Sequence, residues 1–258
     1  MFIAYVASLQ VARTTINYSS AMHRPVSGPL KTSTSLQDHA SVPQSDGSNI
    51  QWRSPKLHVD GSWQALADSV CRTLLETKAG SLEWNCLQPN AEAVINLDNG
   101  HRIAGLGYVE HVTLSIPPWR LPIDELRWGR FLSPKEALVW IDWRGEKPLH
   151  LVFHNGKELE TTEITDGGFE ARDLTLSLDE KAVIREGPLV TTVLSAIPGI
   201  QRLFPVRMLG THECKWLSRG MLKKTAVTAS SCAKDELVTG WAIHEMVRWP
   251  TRQTAERK

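Results

Sequence analysis

From Gly80 onward, apolar and polar residues alternate with a period of two. Runs of this kind lie near 81–87, 91–97, 101–116, 126–132, 137–144, 149–154, 157–164 and 171–178, with two more near 206–218 and 236–249. That period sends alternate side chains to opposite faces, so the runs are expected to be half-buried strands. His154-Asn155-Gly156-Lys157 lies between two of them, and Asn-Gly between strands signals a tight hairpin. Upstream the pattern differs. Apolar positions 63, 66, 67, 70, 74 and 75 trace a helical stripe, with Ser62 as N-cap and Gly80 as stop, and predict a helix over 61–80. Residues 19–50 are rich in Ser, Thr, Pro, Gly, Asn and Asp without periodicity, so 1–60 is expected to be a poorly ordered or reduced N-terminal segment. A short helix is expected from Leu189 toward Phe204, broken at Pro198-Gly199.

Roughly ten strands joined by short connections fit an antiparallel barrel better than an α/β sheet, and closure removes exposed edges. The expected architecture is all-β: an antiparallel barrel over 81–250 with a flanking N-terminal helix. A barrel of about eight to ten strands is wide enough to hold one small ligand.

Composition narrows the partners. The 258 residues carry a formal net charge of +1 and no long Lys/Arg block, which argues against nucleic acid and for a small apolar ligand. Such a ligand is also compatible with peripheral membrane contact. Cys71, Cys86, Cys214 and Cys232 show no metal-ligand spacing, so neither a metal nor a cofactor is expected. The apolar stretch Phe2–Leu9 lacks the basic flank of a secretory signal, and the expected compartment is the reducing cytoplasm. No GxSxG, HExxH, P-loop or dinucleotide fingerprint is present. Ten tryptophans against three tyrosines and five phenylalanines fit either an aromatic-lined cavity or an aromatic core.

Two carboxylates interrupt apolar strand faces: Glu110 in the series Tyr108, Glu110, Val112, Leu114, Ile116, and Glu245 in Trp241, Ile243, Glu245, Val247, Trp249. Asp142 beside Trp140 is a weaker case, expected to point to solvent, and His244 is expected on the barrel's outside. A buried carboxylate must be hydrogen-bonded, ion-paired or protonated. One reading pairs Glu110 or Glu245 with Arg130, Arg127 or Arg219 as a structural ion pair. The other makes it a proton donor in an aromatic-walled cavity.

Three segments then carry a resemblance: Trp84-Asn85-Cys86-Leu87-Gln88-Pro89-Asn90-Ala91, Gly105-Leu106-Gly107-Tyr108-Val109-Glu110 and Leu126-Arg127-Trp128-Gly129-Arg130. In order and spacing they resemble the hydroxyneurosporene synthase (carotenoid 1,2-hydratase) family, over about 84–144. The resemblance implies a lipocalin-like fold and acid catalysis on an isoprenoid or polyene, by a hydratase (a lyase) or a cyclase. It places Tyr108, Glu110 and Trp84 at the family's motif positions, with Glu110 as the acid and Tyr108 orienting it; the apolar strand faces add Glu245 as a second acid. Trp84, Trp128, Arg130, Trp140 and Trp241 would contact substrate. Leu82 stands where the family has a histidine, and Glu110 where it has an aspartate. A non-catalytic binder of a hydrophobic ligand would use the same cavity.

Overall fold

The long strand β8 (Gly80–Leu97) is the spine of one of three antiparallel sheets. It spans two of the alternating runs because a bulge, and not a turn, separates them: its register against β9 (Arg102–Leu114) shifts between Cys86 and Gln88 and again before Ala91. Pro89, which has no N–H to give a ladder, falls inside that irregularity. These relations come from a computed structural model of the chain, which describes residues 1–11, 14–25, 27–36, 42–98, 100–192, 205–225 and 236–250.

The opposite edge of β8 is shared by two strands. β6 (Val59–Ala65) pairs with its second half and β7 (Val70–Thr77) with its first. β5 (Asn49–Ser54) and the two-residue β4 (Gln44–Ser45) extend the sheet beyond β6. The expected helix over 61–80 is therefore replaced by two strands. The long edge of β8 offers backbone partners that a lone amphipathic helix would leave unused. Leu66, which the helical stripe would bury, is 49% exposed. Nor is the N-terminal segment merely reduced, because β1 (Phe2–Val11), β2 (Thr14–His23) and β3 (Lys31–Leu36) form a three-stranded sheet of their own. Ser- and Thr-rich stretches pair here because β-branched and small polar residues suit a half-exposed strand.

The remaining strands build a nine-stranded sheet. They are β10 (Ile123–Leu132), β11 (Ala137–Gly145), β12 (Leu149–His154), β13 (Lys157–Leu159), β14 (Thr161–Thr165), β15 (Gly168–Ala171), β16 (Leu174–Pro188), β17 (His212–Lys224) and β18 (Glu236–Arg248). Their order is β13-β12-β11-β10-β18-β17-β16-β15-β14. Asn155 and Gly156 make the tight turn between β12 and β13, both with positive φ (48° and 80°), as the Asn-Gly signal requires. The predicted helix after Leu189 exists as α1 (Leu189–Thr192), and its continuation lies outside the described residues. The strand expected from 206 is preceded by the turn α2 (Val206–Leu209) and begins at His212.

The nine-stranded sheet curls as a lipocalin-like half-barrel. Val152, near one edge, shares a core with Ile164 and Phe169, near the other, and with Phe131, Leu138, Trp140, Leu176 and Leu222 between them. Its outer face packs on the β8 sheet through Val139, Ile141, Trp143, Phe153, Leu82 and Trp84. The fold is thus all-β and antiparallel, as expected. Among the described residues no helix is long and apolar enough to cross a membrane.

Gly129 on β10 lies beneath the Trp140 indole, and a Cβ there would also come within 2.7 Å of the His244 Cβ. Gly105, by contrast, has nothing within 4 Å of such a Cβ. Gly129→Ala should cost about 1–3 kcal/mol of unfolding free energy through overpacking, whereas Gly105→Ala should stay within about 0.5 kcal/mol of wild type. Urea unfolding of the two variants checks this; equal effects would show that the Trp140 shelf is not tight.

Candidate functional site at the seam between two sheets

β9 brings Tyr108 and Glu110 to one face, and β8 sets Trp84 and Cys86 beside them, Cys86 directly opposite Glu110. Glu110 Oε2 accepts a 2.8 Å hydrogen bond from Trp84 Nε1 and a 2.7 Å bond from the Tyr108 hydroxyl. The other oxygen, Oε1, has no protein partner among the described residues. Because an indole N–H can only donate, Oε2 is held as an acceptor. A protonated Glu110 would therefore carry its proton on Oε1.

β10 supplies the facing wall. Trp128 meets Trp84 edge to face with ring centroids 6.0 Å apart, and the Arg130 guanidinium lies over the Tyr108 ring at 4.8 Å. Trp84 and Cys86 are fully buried, while Tyr108, Glu110, Trp128 and Arg130 each keep some accessible surface. Trp84 and Leu82 belong to one buried apolar cluster, against which Tyr108 and Trp128 pack.

Burial raises the Glu110 carboxyl above the usual glutamate range, against the opposing pull of the Trp84 and Tyr108 hydrogen bonds and the Arg130 charge. Burial, reinforced by the Glu110 charge, also pushes the Tyr108 hydroxyl well up, and burial raises the Cys86 thiol to about 12. Tyr108 and Cys86 are neutral near pH 7 in consequence.

Glu245 takes the other course. It shares the face of Trp128, to which it is paired in register, but it forms an ion pair with Lys215, the residue opposite it on β17. Burial pushes its carboxyl up, yet the Lys215 charge and hydrogen bond more than reverse that and hold it below the ordinary range. Glu245 is thus a structural carboxylate and not a second proton donor, and its partner is none of the arginines considered from sequence. Lys215 also donates a 2.6 Å bond to the Tyr5 hydroxyl of β1, and Arg185 binds Glu213 at 2.9 Å beside the same ring. These groups escaped sequence reading because their partners are more than two dozen positions apart. The only local trace is that Tyr5 alternates with Ile3 in an apolar run.

Two substrate-contact candidates lie elsewhere. Trp140 faces the interior of the curl, because the register pairs Ile141, not Trp140, with Trp128. Trp241 is 55% exposed at the far end of β18. Two further expectations reverse. Asp142 is fully buried and paired with His150 and Arg144. His244 is buried, bonded to Ser218 at 2.8 Å, and burial lowers its pKa to about 4. Both sit on the curl's inner face, which the sequence pattern had assigned to the outside.

No family model matches the sequence, and no curated protein is significantly similar to it. Solved structures of similar chain trace include CghA with Sch210972, at 12% identity over 93% of this chain and 81% of that one, with a TM-score of 0.49. A Nitrosomonas europaea protein described as AttH gives 9% identity over 94% and 85%, also at 0.49. A second CghA structure gives 12% identity over 93% and 81%, at 0.44.

The raised Glu110 carboxyl has a consequence for stability. A pKa higher in the folded than in the unfolded state adds stability below the unfolded pKa, and that stability is lost as pH rises through the folded pKa. Glu110→Gln cannot ionise. Its stability relative to wild type should therefore improve as pH rises above the ordinary glutamate range and level off once the folded carboxyl has ionised. Chemical denaturation at a series of pH values tests it, and a difference that does not change with pH would mean that Glu110 titrates normally.

Proposed function

We propose that this protein is an acid catalyst acting on an apolar isoprenoid or polyene, as a hydratase or a cyclase. One observation carries the reading. Glu110 is a half-buried carboxyl with no ion-pair partner among the described residues, held by two neutral donors on one oxygen. Its other oxygen is free to present a proton.

In this reading the Glu110 Oε1–H bond breaks as a C–H bond forms on one alkene carbon. The neighbouring carbon becomes a cation. The rings of Trp84, Trp128 and Tyr108 lie around the space where it would form, and an aromatic face contributes about 0.5–2 kcal/mol to a desolvated cation. That is far below what catalysis needs, so the acid and its placement carry the rate. Water then adds and returns a proton to the Glu110 carboxylate, or a second double bond attacks and closes a ring, and the cation this leaves loses a proton from the adjacent carbon to the Glu110 carboxylate. Tyr108 and Trp84 would orient the carboxyl and stabilise the carboxylate left after transfer. Trp128 and Arg130 would line the substrate space.

A non-catalytic binder would keep the same pocket and need no proton. To separate the two, apolar molecules that copurify with the protein are identified by mass spectrometry and incubated with wild type and Glu110→Gln. The expected result is a product of wild type heavier by one water, or isomeric with its precursor. Glu110→Gln should bind the same molecule and turn it over at least about a hundredfold more slowly. Unchanged ligand with both proteins would establish the binder.

A further inference from the structure

Arg130 has a guanidinium without a protein acceptor. It makes no hydrogen bond and no ion pair among the described residues; its close contact is the Tyr108 ring. Its nitrogens keep accessible surface, since they are absent from the buried unpaired atoms that include Trp128 Nε1. Buried arginines ordinarily satisfy their five fixed donors with carboxylates or carbonyls. Of the two carboxylates nearby, Glu245 is engaged by Lys215 and Glu110 by Trp84 and Tyr108.

Two residues away on the same face, the Trp128 N–H is buried and also has no acceptor. One sealed N–H without an acceptor and, two residues along the same face, an accessible guanidinium without one mark a place beside the acid suited to an acceptor-rich group. Electrostatics points the same way. A bare guanidinium next to a developing carbocation raises its energy, and a bound anion would cancel that opposition.

We infer that Arg130 and the Trp128 N–H anchor a carboxylate head group on the polyene substrate. The substrate class is thereby an acidic polyene and not a pure hydrocarbon. This rests on the acid-catalyst reading for the presence of a polyene in the seam. The head group would fix which double bond faces Glu110, with the guanidinium binding two oxygens side by side.

Three fluorescent probes test the anchor with the full chain: cis-parinaric acid, its methyl ester, and the hydrocarbon diphenylhexatriene. Wild type should bind the acid about tenfold or more tightly than the ester, the contribution of a charge-assisted hydrogen bond. Arg130→Met should abolish that preference, read as the ratio of acid to ester affinity within the same variant. Trp128→Phe, which keeps an aromatic ring but removes the N–H together with part of the indole, should narrow it, and serves if Arg130→Met does not fold. Equal affinity of wild type for acid and ester would overturn the anchor while leaving the polyene site standing. Failure of all three probes to bind would overturn the polyene reading and the anchor together.

Discussion

The fully buried indole of Trp84 joins the two large sheets, and the site is arranged around what that indole requires. Its ring packs against Trp128 and Phe153 of the nine-stranded sheet, with centroids 6.0 and 5.4 Å away. Its N–H, sealed from water, must find an acceptor inside the protein. Glu110 supplies it, and Tyr108 donates to the same oxygen. The packing that holds the sheets together thus also fixes the carboxyl's orientation and leaves one of its oxygens facing the accessible space. Trp84→Phe would keep an aromatic ring in a smaller volume and leave that carboxyl without its indole donor.

Two glutamates in one seam have been given opposite electrostatic fates. Glu110 lies among Trp84, Tyr108 and Cys86, none of which carries charge near pH 7, and its pKa is raised. Glu245 lies opposite Lys215, and its pKa is lowered. Environments that push two carboxyl pKa values apart separate a proton donor from a permanent charge. The permanent charge also acts on the donor: an ionised Glu245 helps raise Glu110, while Arg130 works to lower it. Lys215 is itself steadied by Tyr5 of the N-terminal sheet. The N-terminal segment, expected to be poorly ordered or reduced, therefore reaches, through one hydroxyl, the charge balance of the site.

What the sequence showed and what it hid divide along the range of the interactions. Alternation is local, and it revealed β10, β11, β12 and β18 and the hairpin at Asn155-Gly156. The placing of Tyr108 and Glu110 on one strand face was legible for the same reason, whereas Trp84 came in through the family resemblance. Phase between strands is not local. Trp140 and Trp128 both lie on strands of matching character, but the register sets Gly129 under Trp140 and so turns that indole to the other face. The helical stripe at 61–80 was a true periodicity overridden by the pairing edge of β8, a tertiary choice that propensity does not see. Lys215 and Glu245 meet only because β17 and β18 pair in one register.

The location of the site follows from how the curled sheet fills itself. In a lipocalin-like barrel the natural place for a ligand is the interior of the curl. Here that interior holds Phe131, Leu138, Trp140, Val152 and Leu222, each no more than 2% exposed. Aromatic and aliphatic side chains of that size pack it at the density of a protein core. The accessible polar groups gather instead on the sheet's outer face, where β10 meets β8 and β9. An acid there is walled by two sheets and reached from their seam. The tryptophan enrichment accordingly has two meanings in one chain: Trp140 is core, while Trp84 and Trp128 shape the space beside a carboxyl.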